Sequence, residues 1–299
     1  MIYPQPLVKG NKIAIITPAS KINPEYVDGA CTEIERRGFI PVVSKHCKGE
    51  HGSYSGTAEE RLEDLKAALG DPDVRAILCS RGGYGVVHLL EHLTDEDFTR
   101  DPKWIIGFSD ISALHAACGK AGVASIHASM TKHLTERPTD DCSEALWGIL
   151  AGKFPHYHEA GHKYNNPGSA TGTIVGGNMA VLTALQSTDY NLLKKDHILF
   201  LEDVSEAIYK IERMLYTLRL SGVLESTRAL IIGEFTDYKP SVDYRDMFDM
   251  IHDMVKAYGI PTAFNFPVGH VDRNLPIVEG ATATINITSD AVDLSFSKG

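Results

Sequence analysis

A strand-like run, Trp104-Ile105-Ile106-Gly107-Phe108, leads directly into Ser109 and then into the helix-like stretch Asp110 to His115. A serine at such a corner has its hydroxyl lifted to the end of a sheet. Backbone N–H groups of the helix start then face whatever the hydroxyl attacks. That is the arrangement of a nucleophile for acyl transfer, although Asp110-Ile111 stands where a G-x-S-x-G enzyme has its second glycine. The alternative is a plain junction with Ser109 as helix N-cap. A second stretch is Ser80-Arg81-Gly82-Gly83-Tyr84-Gly85, where three glycines in five residues let the backbone approach a ligand closely. It reads as an oxyanion hole shared with the N–H after Ser109, as a phosphate cradle, or as a tight turn. The lack of G-K-[ST] and of G-x-G-x-x-G counts against a nucleotide.

A serine nucleophile needs a base, and the base needs an orienting carboxylate. Of the 13 histidines, His270 follows Phe266-Pro267-Val268-Gly269 and falls on a strand-end loop. His115 lies on the same helix as Ser109 and reads as a packed residue. His127, after Ala124-Ser125-Ile126, reads as a supporting residue near the sheet end. His156, His158 and His162 have a spacing that a metal would accept, but they fall in an irregular segment with no fixed element, and no metal site is expected. For the carboxylate, Glu202 and Asp203 end the strand Ile198 to Leu201. Adjacent strand residues face opposite sides, so only one of them enters a cleft, and the sequence does not choose. Glu234, after Leu230-Ile231-Ile232-Gly233, is a third option.

The elements that must position these residues alternate in the first half. Strands are expected at Lys12–Ile16, Ile40–Val43, Val74–Cys79 and Trp104–Phe108, with helices at Pro24–Gly38 and Ala58–Leu69. Such alternation implies a parallel sheet, and ligands of these sheets gather at the carboxyl ends of the strands. The texture turns irregular near 151–170, read as a linker. Residues 1–150 form the expected first domain and 171–299 the second. The second contains the strands Ile198–Asp203 and Ala229–Phe235, a helix carrying Ile208, Ile211, Leu215 and Leu218, a helix at Tyr244–Tyr258, and a terminal hairpin turning at Ser289-Asp290. The fold class is therefore α/β: a Rossmann-like parallel-sheet domain followed by a smaller, β-rich α+β domain.

Composition narrows the partners. The chain has 299 residues, 43% hydrophobic, with 29 Lys+Arg against 39 Asp+Glu and a net charge of −10. That is enough for two domains with sizeable cores. No basic block is present, so nucleic acid is not an expected partner. No apolar run spans a bilayer and the first residues do not resemble a signal peptide, so no membrane association is expected. Five scattered cysteines without C-x-x-C spacing suit reduced thiols and a cytoplasmic location.

Taken together, the pieces resemble the serine LD-carboxypeptidases, the family of muramoyltetrapeptide carboxypeptidases and their relatives that inactivate microcin C. The likeness rests on Gly10 to Ser20, on Ala76 to Gly85, and on Ile106 to His115. It continues through Gly176-Gly177-Asn178, Leu201-Glu202-Asp203-Val204 and Pro267-Val268-Gly269-His270. Ser112 stands where a threonine is common. The resemblance implies a triad of Ser109, Glu202 and His270, and an oxyanion hole from N–H groups of Asp110, Gly82 and Gly83. Ser109 would come from one domain and His270 from the other, so domain docking would assemble the catalyst. Arg81, Tyr84 and Asn178 are expected to contact substrate, with Arg81 alternatively bracing its loop. The implied substrate is a murein tetrapeptide that loses its terminal D-alanine without a cofactor, in a homodimer that recycles wall fragments. The rival readings are a microcin-type peptidase acting on an aminoacyl-nucleotide and a non-catalytic peptide-binding protein.

Overall fold

Ile13-Ala14-Ile15-Ile16 has no polar alternation, so as a strand it must be covered on both faces. In the computed structural model, which describes residues 1–298, it forms β1 (Lys12–Ile16), with Ile13 to Ile16 all buried. The chain divides into two units, the first comprising Met1–Lys153 and Leu275–Glu279, the second Phe154–Asn274 and Gly280–Gly299.

The first unit continues through α1 (Pro24–Arg36), β2 (Ile40–Val43), α2 (Ala58–Gly70), β3 (Val74–Cys79), α3 (Val87–Leu90) and α4 (Asp95–Thr99). There follow β4 (Trp104–Gly107), α5 (Ser112–Lys120), β5 (Ser125–His127), α6 (Thr131–Glu136) and α7 (Asp141–Leu150). The parallel strands run in the order β5-β4-β3-β1-β2, a doubly wound arrangement whose connections change direction beside β1. The loops after β1, β3 and β4 therefore share one end of the sheet, the expected place for a ligand. α1 packs against β2 and α6, α2 against β1 and β3, and α5 against β4 and β5.

The second unit holds β6 (His156–Ala160), β7 (Gly168–Asn178), α8 (Met179–Ala184), β8 (Ile198–Val204), α9 (Ile208–Leu220), α10 (Val223–Ser226), β9 (Ala229–Thr236), α11 (Met247–Val255) and β10 (Thr262–Ala263). After β11 (Ile277–Glu279), it resumes with β12 (Thr282–Ile287) and β13 (Ala291–Ser297). Its sheet order is β10-β9-β8-β7-β12-β13-β6, parallel from β10 to β7 and antiparallel beyond. β7 changes character along its length. Its first half pairs with β12 and is partly exposed, whereas Ile174–Asn178 is buried beside β8. Burial on both faces there sets the depth at which β8 carries its carboxylates.

Two expected boundaries differ from what is seen. The irregular stretch at 151–170 includes β6 and the start of β7. β6 is an edge strand with Tyr157 inward and His156 and His158 outward, so its alternation is carried by polar residues and reads as loop. The expected span 171–299 is interrupted by β11, which pairs antiparallel with β5 in the first unit, Ile277 opposite His127. Three residues carry no periodicity, and only the distant partner makes them a strand.

Gly176 lies opposite Phe200 in the β7–β8 pair, and a Cβ there would fall 1.8 Å from the Phe200 carbonyl oxygen. Gly176→Ala is expected to cost about 3 kcal/mol, the upper end of over-packing, measured by urea unfolding. A wild-type midpoint would show that the strand pair yields freely.

Candidate active site

Ser109 is not a helix cap. Phe108 is extended (φ −151°, ψ −173°), and Ser109 itself has φ +66°, the left-handed region that costs a non-glycine residue roughly 1 kcal/mol or more. A short 3-10 turn over Ser109–Ile111 then leads into α5. This is the strand-turn-helix corner expected of a nucleophile, with the backbone strain such corners carry.

The glycine loop lies against this corner. A Cβ on Gly82 would sit 2.8 Å from Ser109 Cβ, 3.1 Å from its Oγ and 3.2 Å from Asp110 N. Gly83 has φ +101°, and a Cβ there would meet Ser20 Oγ. Ser20 N donates to Gly82 O at 3.2 Å, and Tyr84 N donates to Ser20 Oγ at 3.3 Å. Asp110, nearly buried, accepts from Val86 N through Oδ2 at 2.9 Å. Burial raises the Asp110 pKa, opposed by that N–H and by Arg61 and His88. Among the described residues, no hydrogen bond takes up the N–H of Gly82, Gly83 or Asp110.

Beneath the corner, His115 is a structural group. Its Nε2 donates to Gly107 O and its Nδ1 accepts from Ser125 Oγ, both at 2.9 Å. Burial pushes its pKa down to about 4, so the ring is neutral. The buried His127 ring lies against that of Phe108, with centroids 5.8 Å apart.

In the second unit, Glu202 and Asp203 leave β8 on opposite sides. The β8–β9 register shifts between Leu201 and Asp203, and a bulge of this kind re-aims the side chain it carries. Glu202, fully buried, accepts from His270 Nδ1 through Oε2 at 2.7 Å. That bond sets the tautomer of the ring, with Nδ1 as the donor. Burial disfavours the charged imidazole, but the Glu202 hydrogen bond and charge, with Asp203 and Asp237, leave the His270 pKa above its ordinary value. Gly269 (φ +126°) is required beside it, because a Cβ would lie 2.9 Å from Glu202 Cβ and Oε2. Asn274 Oδ1 accepts from Gly269 N at 2.9 Å and closes the loop.

Asp203 instead accepts from Asn178 Nδ2, Ala180 N and Val204 N. Burial, then the Glu202 charge, push its pKa up to about 6 against those bonds. Asn178, expected at the substrate, is buried and also caps α8 by accepting from Val181 N. Arg81 donates to Lys21 O at 2.9 Å, a brace for its loop, while Tyr84 is exposed. Glu234 is half-buried, and burial raises its pKa. His156 and His158 flank Asp293 on β6 and β13. Among the described residues, the only close grouping of metal-ligating types is Asp140, Asp141 and Cys142, where Asp140 caps α7. Ser20 escaped the sequence reading. Its signal was its place at the end of β1, beside the loop after β3.

Two family models match the chain: the LD-carboxypeptidase N-terminal domain over residues 13–128 and the LD-carboxypeptidase C-terminal domain over 171–285. The chain belongs to the LD-carboxypeptidase family. It is similar to the murein tetrapeptide carboxypeptidase of Pseudomonas aeruginosa, 31% identical with 92% of each chain covered. It is also similar to a probable murein peptide carboxypeptidase of Bacillus subtilis, 29% identical over 95% of this chain and 91% of the relative. Among solved structures, muramoyltetrapeptide carboxypeptidase from Oxalobacter formigenes superposes with a TM-score of 0.88 at 25% identity, covering 96% of this chain and 99% of that one. Microcin C7 self-immunity protein MccF in complex with aspartyl sulfamoyl adenosine shares the fold, with a TM-score of 0.85 at 21% identity over 99% and 98% of the two chains. These relatives place the chain among peptidases, which are hydrolases.

If His270 must be neutral to accept a proton, kcat/KM rises with pH through a midpoint above the ordinary imidazole value. Glu202→Gln removes the charge that favours the protonated ring. The midpoint should then move to lower pH while the plateau falls. An unmoved midpoint in a pH–rate series would remove His270 from this role. Gly269→Ala should lower the plateau about tenfold or more by pushing Glu202 off the ring, and a wild-type rate would show that the pair does not depend on this close approach.

Proposed function

We propose that this carboxypeptidase hydrolyses the LD-peptide bond of a murein tetrapeptide and releases the terminal D-alanine. Ser109 is the nucleophile, His270 the base and Glu202 its orienting carboxylate. The N–H groups of Asp110, Gly82 and Gly83 form the oxyanion hole. The observation that carries this reading is the left-handed φ of +66° at Ser109 with glycine 82 packed on its Cβ. Strain at a serine, combined with three nearby unengaged donors, is what tetrahedral chemistry demands and what a structural turn has no use for.

The scheme runs as acyl transfer. Ser109 Oγ bonds to the carbonyl carbon of the diamino acid, and its proton passes to His270 Nε2. The carbonyl oxygen becomes the oxyanion held by the backbone donors. Collapse breaks the C–N bond, and the proton on His270 goes to the departing D-alanine amine. Water then attacks the acyl-enzyme, giving its proton to His270, and Ser109 recovers a proton as the tripeptide leaves.

Ser109 belongs to the first unit and His270 to the second, so the reading requires both units in one catalyst. All five cysteines are free thiols, which suits an enzyme acting in the cytoplasm on recovered wall fragments. Both tryptophans are buried, so neither offers the stacking face that a nucleotide-bearing substrate would use.

Mass spectrometry of murein tetrapeptide after incubation tests the proposal. Wild type should release one alanine, and Ser109→Ala should be slower by several orders of magnitude. A parallel incubation with an aminoacyl sulfamoyl adenosine separates the microcin-type activity. Cleavage of that compound alone, or an undiminished Ser109→Ala rate, would sink the reading.

A further inference from the structure

Arg61 is a cation inside the first unit that hydrogen-bonds only to neutral acceptors. It lies in the first turns of α2, whose start is set by the reciprocal Thr57–Glu60 cap, and is 2% exposed. Nη1 donates to Pro18 O at 2.7 Å and to Gly85 O at 2.8 Å. Nε donates to Gly56 O at 3.3 Å, and Nη2 to His88 Nδ1 at 3.1 Å. The Tyr54 ring lies 4.9 Å from the guanidinium carbon. Gly85 (φ +123°) makes room for this packing, since a Cβ would fall 2.9 Å from Nη1. A buried charge without an ion-pair partner is an expensive brace, and a neutral amide would hold one carbonyl at less cost. Its planar fork, however, reaches the loops after β1 and β3 with a single group.

The loop is thereby held at four successive polar groups: Gly82 O and Tyr84 N by Ser20, Gly85 O by Arg61, and Val86 N by Asp110. The N–H groups of Gly82 and Gly83 keep a set direction. Asp110 follows Ser109 directly, and its carboxylate would oppose negative charge growing there. The Arg61 charge acts against it.

We propose that Arg61 is a positioning residue for the Ser109 reaction: it fixes the direction of the glycine-loop N–H groups and offsets the Asp110 charge. This rests on the reading of Ser109 as nucleophile. Arg61→Ala, Arg61→Lys and Ser109→Ala would be compared with wild type in tetrapeptide hydrolysis, in labelling by a fluorophosphonate, and in thermal melting. Arg61→Ala should lower kcat and the labelling rate about 100-fold, as loss of an oxyanion donor does, with KM within about threefold. Methylguanidinium should restore at least about tenfold of that loss and methylammonium should not, since only the former reproduces the fork. Arg61→Lys should remain at least about tenfold slow. A raised KM with intact kcat, or a loss that follows the folded fraction without rescue, overturns the proposal. If Arg61→Ala does not fold, Arg61→Lys decides, and a kcat within about threefold of wild type overturns it. Labelling or turnover surviving in Ser109→Ala means instead that the nucleophile itself is misassigned, and the role of Arg61 falls with it.

Discussion

The corner at Ser109 and the glycine loop packed on it leave each other no room, and that close approach shapes the first unit. Ser109 adopts a left-handed φ of +66°, and Gly82 can lie against it only by lacking a side chain, as any Cβ would strike Ser109. Neither condition is free. The strained serine must be held by the strand before it and the helix after it, and the bare glycine loop must be kept from wandering. The His115 bond to Gly107 O, the Asp110 bond to Val86 N and the Ser20 contacts do this holding. Each is a polar group placed inside the fold at some cost.

The second unit meets a different constraint, how to keep a carboxylate partnered and aimed while fully buried. β8 is covered on both faces, so a carboxylate on it loses water on every side. Glu202 is partnered by His270, and Asp203, its neighbour on the opposite side, by three donors. The two like charges disfavour each other, which is one reason the Asp203 pKa stands near 6. The same proximity favours protonation of His270. A single strand end thus supplies both the carboxylate bonded to His270 and part of the field that raises the pKa of its ring.

Tolerance is unevenly distributed as a result. Substitution at Gly176 strikes backbone and threatens the sheet itself. Gly82 and Gly269 border the side chains of Ser109 and Glu202 instead, so a methyl group there disturbs their geometry before stability. The buried polar groups Ser80, Asp110, Glu202 and Asp203 lie at strand ends, where hydrophobic packing alone cannot define direction.

Many strands and several helices are legible because their patterns are local. Unbroken apolar runs marked β1 and β4, helical spacing marked α2 and α9, and two-residue alternation marked the β12–β13 hairpin. The serine corner, the glycine loop and the histidine loop were also legible, each an unusual residue at a strand end. Arg61 was not singled out, although it precedes Leu65 by one helical turn and so falls on the buried stripe. Strand position alone leaves both Glu202 and Asp203 available, the resemblance favours Glu202, and the folded chain bonds Glu202 to His270 beside a bulge against β9. β6 and β11 were missed because an edge strand and a three-residue strand have no pattern of their own and exist through partners far along the chain. Local order thus determined the kinds of element and the kinds of reactive group. Pairing between distant segments, which only the folded chain brings about, decided which of those groups are buried, aimed and charged.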